Sequence, residues 1–245
     1  MILTKKTKRV MILEHIKEFS RHAHSYDTHT FVQKEVARYL VSHVHSKPKR
    51  ILDLGCGSGE VYKNIDWEMA HFVGVDSSHE MSQKHPTCKD VYIINEDFES
   101  PSLRQKLDPS YDLIISSSAL QWSKDIEKMI RWASLTCKEG AFAIFTDKTF
   151  ETIYQLSGLE VFLPNASNLL TLFEKYFTCK SEIKTFRLSF PNNRSAFRYI
   201  KQSGVSGGKK RLSVSQTKSL IQNYPLAYLE FEVLFVWGIP RQNYN

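Results

Sequence analysis

Short apolar runs alternate with helix-periodic stretches through the first 150 residues of this chain. Residues 29–45 come first. Phe31, Val32, Val36, Tyr39, Leu40 and Val44 approximate the 3.6-residue period of an amphipathic helix, and Pro48 ends it. Five strand-like runs follow: RILDL at 50–54, HFVGVD at 71–76, VYIINED at 91–97, YDLIISSS at 111–118 and AFAIFT at 141–146. Between the last two, Ile126, Met129, Ile130 and Ala133 predict a helix over 126–135. Continuous apolar strands separated by helices predict an α/β fold whose sheet is mostly parallel and covered on both faces. After Phe150 the rhythm changes. Helices are predicted over 167–176, over 192–203 with Phe197 and Ile200 inward, and over 215–223. Strands are predicted over 184–190 and 229–237, and GVSGGKKR at 204–211 reads as a glycine-rich basic loop. The division expected is an N-terminal cap segment over 1–28, a ligand-binding core over 29–150, and 151–245 adding late cap helices and the last strands of the same domain.

Composition narrows the class. The 245 residues are 42% hydrophobic and 24% charged, as in soluble globular proteins. No apolar run approaches the roughly 20 residues that span a bilayer, and the basic start lacks the apolar core of a signal peptide. Cys56, Cys88, Cys137 and Cys179 are scattered, with no C-x-x-C pair and so no zinc or redox motif. They read as reduced thiols of a cytoplasmic protein. The net charge of +7 is uneven: residues 181–245 hold ten Lys/Arg against three Asp/Glu, and residues 1–180 are balanced. That segment is either a solvated basic face or a docking surface for an acidic partner.

The candidate chemistry centres on Asp53, Gly55, Cys56, Gly57 and Gly59, where the run ILDL enters GCGSG. A glycine turn at the carboxyl end of a strand lets a ligand approach the backbone. A dinucleotide fingerprint would require a third glycine at position 60, where Glu60 opposes a pyrophosphate, and no G-x-x-x-x-G-K-[ST] occurs. A phosphate-free ligand suits the loop better, and S-adenosylmethionine is one. Asp76, followed by Ser77, ends the second strand 23 residues after Asp53, where a carboxylate accepts from ribose hydroxyls. Asp97 and Phe98 end the third and suit the adenine amino group and ring.

With these elements in order, residues 20–147 resemble the class I methyltransferases, a Rossmann-like fold, with DLGCGSG as signature. Three further stretches are similar to the malonyl-acyl-carrier-protein O-methyltransferases of biotin synthesis. FSRHAHSYD at 19–27 is similar to their F-S-x-A-A-x-x-Y-D opening, SSSALQW at 116–122 to S-N-x-A-L-Q-W, and FRYIKQSG at 197–204 to a late segment. Ser117 stands where Asn is usual, KEG at 138–140 where many relatives have Pro-Gly-Gly, and the short stretch after Gly59 predicts a reduced helix. The resemblance implies methylation of the free carboxyl of a malonyl thioester, with S-adenosylmethionine as cofactor. It adds Ser116 to the cofactor residues, puts Tyr26, Gln121, Trp122 and Arg198 near the acceptor, and makes an acidic acyl carrier protein the partner. A malonyl carboxyl is already ionised near neutral pH, so no acid or base residue is expected to be catalytic. No metal spacing is found among the nine histidines. Another small carboxylate or an RNA as acceptor, and a non-catalytic cofactor-binding protein, are the alternatives; the basic tail suits RNA in sign, but no RNA-binding module is recognised.

Overall fold

The computed structural model describes residues 31–202 and 212–241. The expected cap segment over 1–28, Tyr26 within it, and the whole glycine-rich loop over 204–211 lie outside the described residues. Strands β1 (Arg50–Leu54) and β2 (His71–Asp76) take the bounds that their apolar runs predict, and pair in parallel with Ile51 opposite Phe72. Three more parallel strands flank them: β3 (Val91–Asn95), β4 (Tyr111–Ser117) and β5 (Cys137–Phe145). The chain then adds β6 (Phe177–Ser189) and β7 (Tyr228–Pro240), and β7 runs antiparallel to both β5 and β6. The sheet order is β3-β2-β1-β4-β5-β7-β6, which makes β3 and β6 the two margins.

Alternation along β1 sorts side chains to two faces. Ile51 joins Phe72 and Leu113 beneath α1 (Phe31–Ser42), whose Val32, Val36 and Leu40 face the sheet. Leu52 and Leu54 join Val73 and Ile114 on the other face, with Met129 of α4 (Ile126–Thr136) and Phe173 of α6 (Ala166–Tyr176). Each fully buried Leu, Ile or Phe contributes about 1.5–3 kcal/mol. Asp125 starts α4 by accepting from the Lys128 N–H at 3.1 Å. The remaining helices are α2 (Glu60–Lys63), α3 (His79–Ser82), α5 (Glu151–Ser157), α7 (Asn193–Gln202) and α8 (Val214–Asn223). The first is a single turn, as the short stretch after Gly59 predicts, and α7 and α8 sit between β6 and β7 as a late insertion.

Two strands start earlier than the apolar pattern indicates. β5 begins at Cys137, directly after α4, and the KEG segment is part of its ladder with β4, Glu139 lying opposite Leu113. β6 begins at Phe177, directly after α6, and runs for 13 residues instead of the seven expected over 184–190. Its first half, TCKSEIK, has no apolar run, because this margin is mostly exposed and pairs on one side. β3 ends at Asn95, two residues short of the expected 97. On α7 the buried residues are Ala196 and Tyr199; Phe197 and Ile200 are half-buried against the same core.

Candidate functional site

At the carboxyl end of β1 the backbone turns at Gly55 with φ +79°. A Cβ added there would lie 2.2 Å from the Cβ of Ala119, so a glycine is required by close approach as well as by conformation. The N–H groups of Gly55 and Cys56 both donate to the carbonyl of Val75, at 2.8 and 3.1 Å. One residue on, Asp76 ties the loop down. Its Oδ2 accepts from the Gly57 N–H at 2.9 Å and its Oδ1 from the Ser78 N–H at 2.8 Å. An ionised carboxylate has about four acceptor sites, so each oxygen keeps one free. Burial raises the Asp76 carboxyl above its ordinary range, and these two N–H groups draw it partly back.

These turns floor a cleft of about 1020 Å³, counting its open mouth. The loops after β1, β2, β3 and β4 and the inner side of α1 form its walls. Four acidic residues line it, Glu60, Asp76, Asp97 and Glu99, and among the described residues no Lys, Arg or His does. Asp97 accepts from Lys124 Nζ at 2.7 Å and from the Glu99 N–H at 2.9 Å. Lys63 pairs with Glu60 at 2.8 Å. Burial pulls the Lys124 ammonium down, but Asp97 and Glu99 outweigh it and hold it above its ordinary value. Val61, Met81, Phe98 and Trp122 give apolar wall, and the Trp122 ring stacks on Phe162 at 5.5 Å. Such a lining favours a cationic, partly aromatic ligand and opposes a phosphate.

Eight of the residues singled out in the sequence meet at this cleft: Gly55, Cys56, Gly57, Asp76, Ser77, Asp97, Phe98 and Trp122. Five others do not line it. Asp53 shares the face of Ile51 and is buried beneath the loop. Gly59, at φ +86°, starts α2, and a Cβ there would meet Pro86 and His85 within 3 Å. Ser116 is fully buried and donates to the Leu54 carbonyl at 2.7 Å, joining the ends of β4 and β1. Gln121 is buried and turns its amide to the Ser118 carbonyl at 2.7 Å. Arg198 is exposed on α7. Gln33, Ala37, Ser118 and Glu99 line the cleft without having been singled out in the sequence, and so do Glu60, read there only as an obstacle to a pyrophosphate, and Ser117, read only as a departure from the family motif. Gln33 carried a signal: with Ala37 it sits one helical turn apart beside the apolar stripe of α1, and its buried Oε1 has no hydrogen-bond partner. Ser117 and Ser118 likewise keep unpartnered hydroxyls.

Asp53 makes a stability prediction. Neither carboxylate oxygen has a hydrogen-bond partner, and burial, reinforced by Asp76, pushes its carboxyl well above the ordinary range. A carboxyl raised in the folded state binds more protons there than in the unfolded chain. Stability is therefore lost as pH rises from the unfolded value, about 3.9, towards the folded one. Asp53→Asn removes that loss. The variant should melt about 2–4 °C above the wild-type protein at pH 7–8, a shift worth roughly 1 kcal/mol in a chain of this size. The gap should close near pH 4. Thermal melts across this range decide it, and a gap independent of pH would show that Asp53 is held ionised by a partner.

Among the described residues no helix is long and apolar enough to cross a membrane. A family model described as a methyltransferase domain matches residues 21–176. A malonyl-[acyl-carrier protein] O-methyltransferase of Bacillus anthracis is 34% identical over 125 residues, 47% of this chain and 45% of that protein. The chain thus spans about half the length of the first curated relatives it matches. A protein of the same name from Hamiltonella defensa is 27% identical over 241 residues, 90% of this chain and 91% of that one. Among solved structures, the YcgJ protein of Bacillus subtilis superposes with a TM-score of 0.63 at 16% identity, covering 85% of this chain and 99% of its own, and so shares the fold.

Proposed function

Since the chain belongs to the methyltransferase domain family, we propose that it transfers a methyl group from S-adenosylmethionine to the free carboxyl of a malonyl thioester carried by an acyl carrier protein. The observation that carries the cofactor half is the lining: four acidic residues, no basic one among the described residues, and Asp76 with acceptor sites left over. The acceptor half rests on the relatives' names and on the resemblance over 19–27, 116–122 and 197–204.

S-adenosylmethionine supplies an electrophilic methyl on a sulfonium. In this reading Asp76 accepts from the ribose hydroxyls. Asp97 and Phe98 take the adenine edge and ring, and the backbone of Gly55–Gly57 admits the rest of the ligand against the strand ends. Ser77 and Cys56 close the wall. Trp122, on the β4 side, faces the acceptor; Tyr26, assigned to the acceptor by the resemblance, lies outside the described residues. The nucleophile arrives ionised, so the chain's task is to align it and exclude water. The test is a methyl-transfer assay with labelled cofactor, offering malonyl-carrier, malonyl-coenzyme A, small carboxylates and RNA side by side. Label on malonyl-carrier as a base-labile ester is expected. Label on RNA or on a small carboxylate alone would move the acceptor, and cofactor binding without turnover on any of them would leave a binding protein.

The proposed partner is acidic, and it meets α7. Arg194, Arg198 and Lys201 are exposed there at helical spacing, opposite the buried Ala196 and Tyr199. This moves Arg198 from the acceptor site to the carrier. Reversing Arg198 and Lys201 to Glu should raise KM for malonyl-carrier about fivefold, as two exposed ion pairs of under 1 kcal/mol each imply. KM for malonyl-coenzyme A should change less, and added salt should reproduce the loss in the wild type. Equal loss on both thioesters would return Arg198 to the acceptor site. Residence in the cytoplasm, where a carrier and free thiols coexist, is part of the same proposal.

A further inference from the structure

Ser118 follows β4 with a left-handed backbone, φ +59°. A residue with a Cβ holds that conformation only where its surroundings fix it. Two hydrogen bonds do so. Its N–H donates to the Ala143 carbonyl at 2.9 Å, and its carbonyl accepts from Gln121 Nε2 at 2.7 Å. The corner matters because Ser118 and Ala119 both line the cleft, and the Ala119 Cβ occupies the space that Gly55 leaves open. Gln121 is buried behind this wall without lining the cleft, and its Oε1 has no partner. Its side chain therefore spends its nitrogen on one carbonyl and leaves its oxygen unsatisfied, which a core position would not keep for stability alone.

We infer that Gln121 is a positioning residue: it acts on the bound cofactor through Ser118, locking the left-handed corner that seats Ala119 against Gly55. The inference rests on reading the cleft as an S-adenosylmethionine site. Without the Gln121 amide, Ser118 relaxes towards the right-handed region, Ala119 withdraws from Gly55, and the glycine turn loses its backing. The requirement is conformational, so a residue at 118 that accepts positive φ unaided should dispense with Gln121.

The experiment uses the full chain and measures S-adenosylhomocysteine binding by calorimetry. Gln121→Met keeps the volume and removes the donor, and should weaken binding about tenfold, the loss of one hydrogen bond to a half-buried carbonyl. Ser118→Gly and Ser118→Ala are then added separately in that background. Both lack the hydroxyl, and they differ in the Cβ that disfavours left-handed backbone. The glycine double variant should bind about tenfold more tightly than the alanine one. Should Gln121→Met fail to fold, recovery of folding by Ser118→Gly but not by Ser118→Ala gives the same support. The inference is overturned if the two double variants behave alike, or if Gln121→Met binds as the wild type does. A wild-type protein that binds no S-adenosylhomocysteine or S-adenosylmethionine would instead remove the cofactor reading itself.

Discussion

Gly55→Ala should weaken S-adenosylmethionine binding by about 100-fold and lower the melting temperature. Two costs combine. A side chain at φ +79° costs about 1–2 kcal/mol in left-handed backbone. Its Cβ would also stand 2.2 Å from that of Ala119, and overpacking of this kind costs about 1–3 kcal/mol. The strain cannot be released locally, because the Gly55 and Cys56 N–H groups are both tied to Val75. About 3 kcal/mol of displacement at the ligand corresponds to roughly 100-fold in affinity. Ala119→Gly in the same background removes the atom that Gly55→Ala meets, and should recover part of the loss while the backbone strain remains. Calorimetry and melts on the single and the double variant separate the two costs. Binding within a few-fold of wild type in Gly55→Ala would place the ligand away from this turn.

Asp76→Ala should have a comparable effect by a different route. The substitution strips the Gly57 and Ser78 N–H groups of their acceptor and removes the oxygens proposed for the ribose. Hydrogen bonds to a charged group are worth about 1.5–3 kcal/mol each, so a loss of about 100-fold in cofactor affinity is expected. Asp76→Asn keeps one acceptor oxygen and should fall between. Because burial holds the Asp76 carboxyl above its ordinary range, affinity in the wild type should begin to fall on acidification before an ordinary carboxylate would be protonated. Isothermal titration from pH 8 down to 5 tests both statements. An affinity unchanged in Asp76→Ala would remove the residue from the site.

What could be read from the sequence was what local pattern controls. β1 and β2 are continuous apolar runs closed by a glycine turn or an aspartate, and their bounds agree to the residue. Asp76, Asp97 and the first two glycines meet at one cleft, as expected where strand ends on one side of a parallel sheet converge. β6 was half missed because it pairs on one side, so its TCKSEIK segment carries no apolar signature. Ser118 shows a second limit: its positive φ is held by a bond to the Ala143 carbonyl, distant in sequence, and by the direction of the Gln121 carboxamide, neither of which the local pattern SSSALQW reveals. Glu99 enters the wall because the loop after β3 folds back to Lys124 and the Asp125 N–H, contacts with no periodicity to betray them.

Open sheet margins invite other strands, and among the described residues the long margin of this sheet is β6. Lys180, Glu182 and Arg187 stand exposed along it, with Lys184 half-buried among them. Lys184 Nζ lies 3.6 Å from the centre of the Tyr39 ring, and the Tyr39 hydroxyl donates to Glu182 at 2.7 Å, so these charges are anchored at the margin. A strand arriving from a second molecule would have to strip water from charge after charge along β6 before gaining its ladder of backbone bonds. The opposite margin, β3, offers five residues. Charges placed on the outermost strand thus oppose edge-to-edge pairing between copies, independently of the net charge of the whole chain.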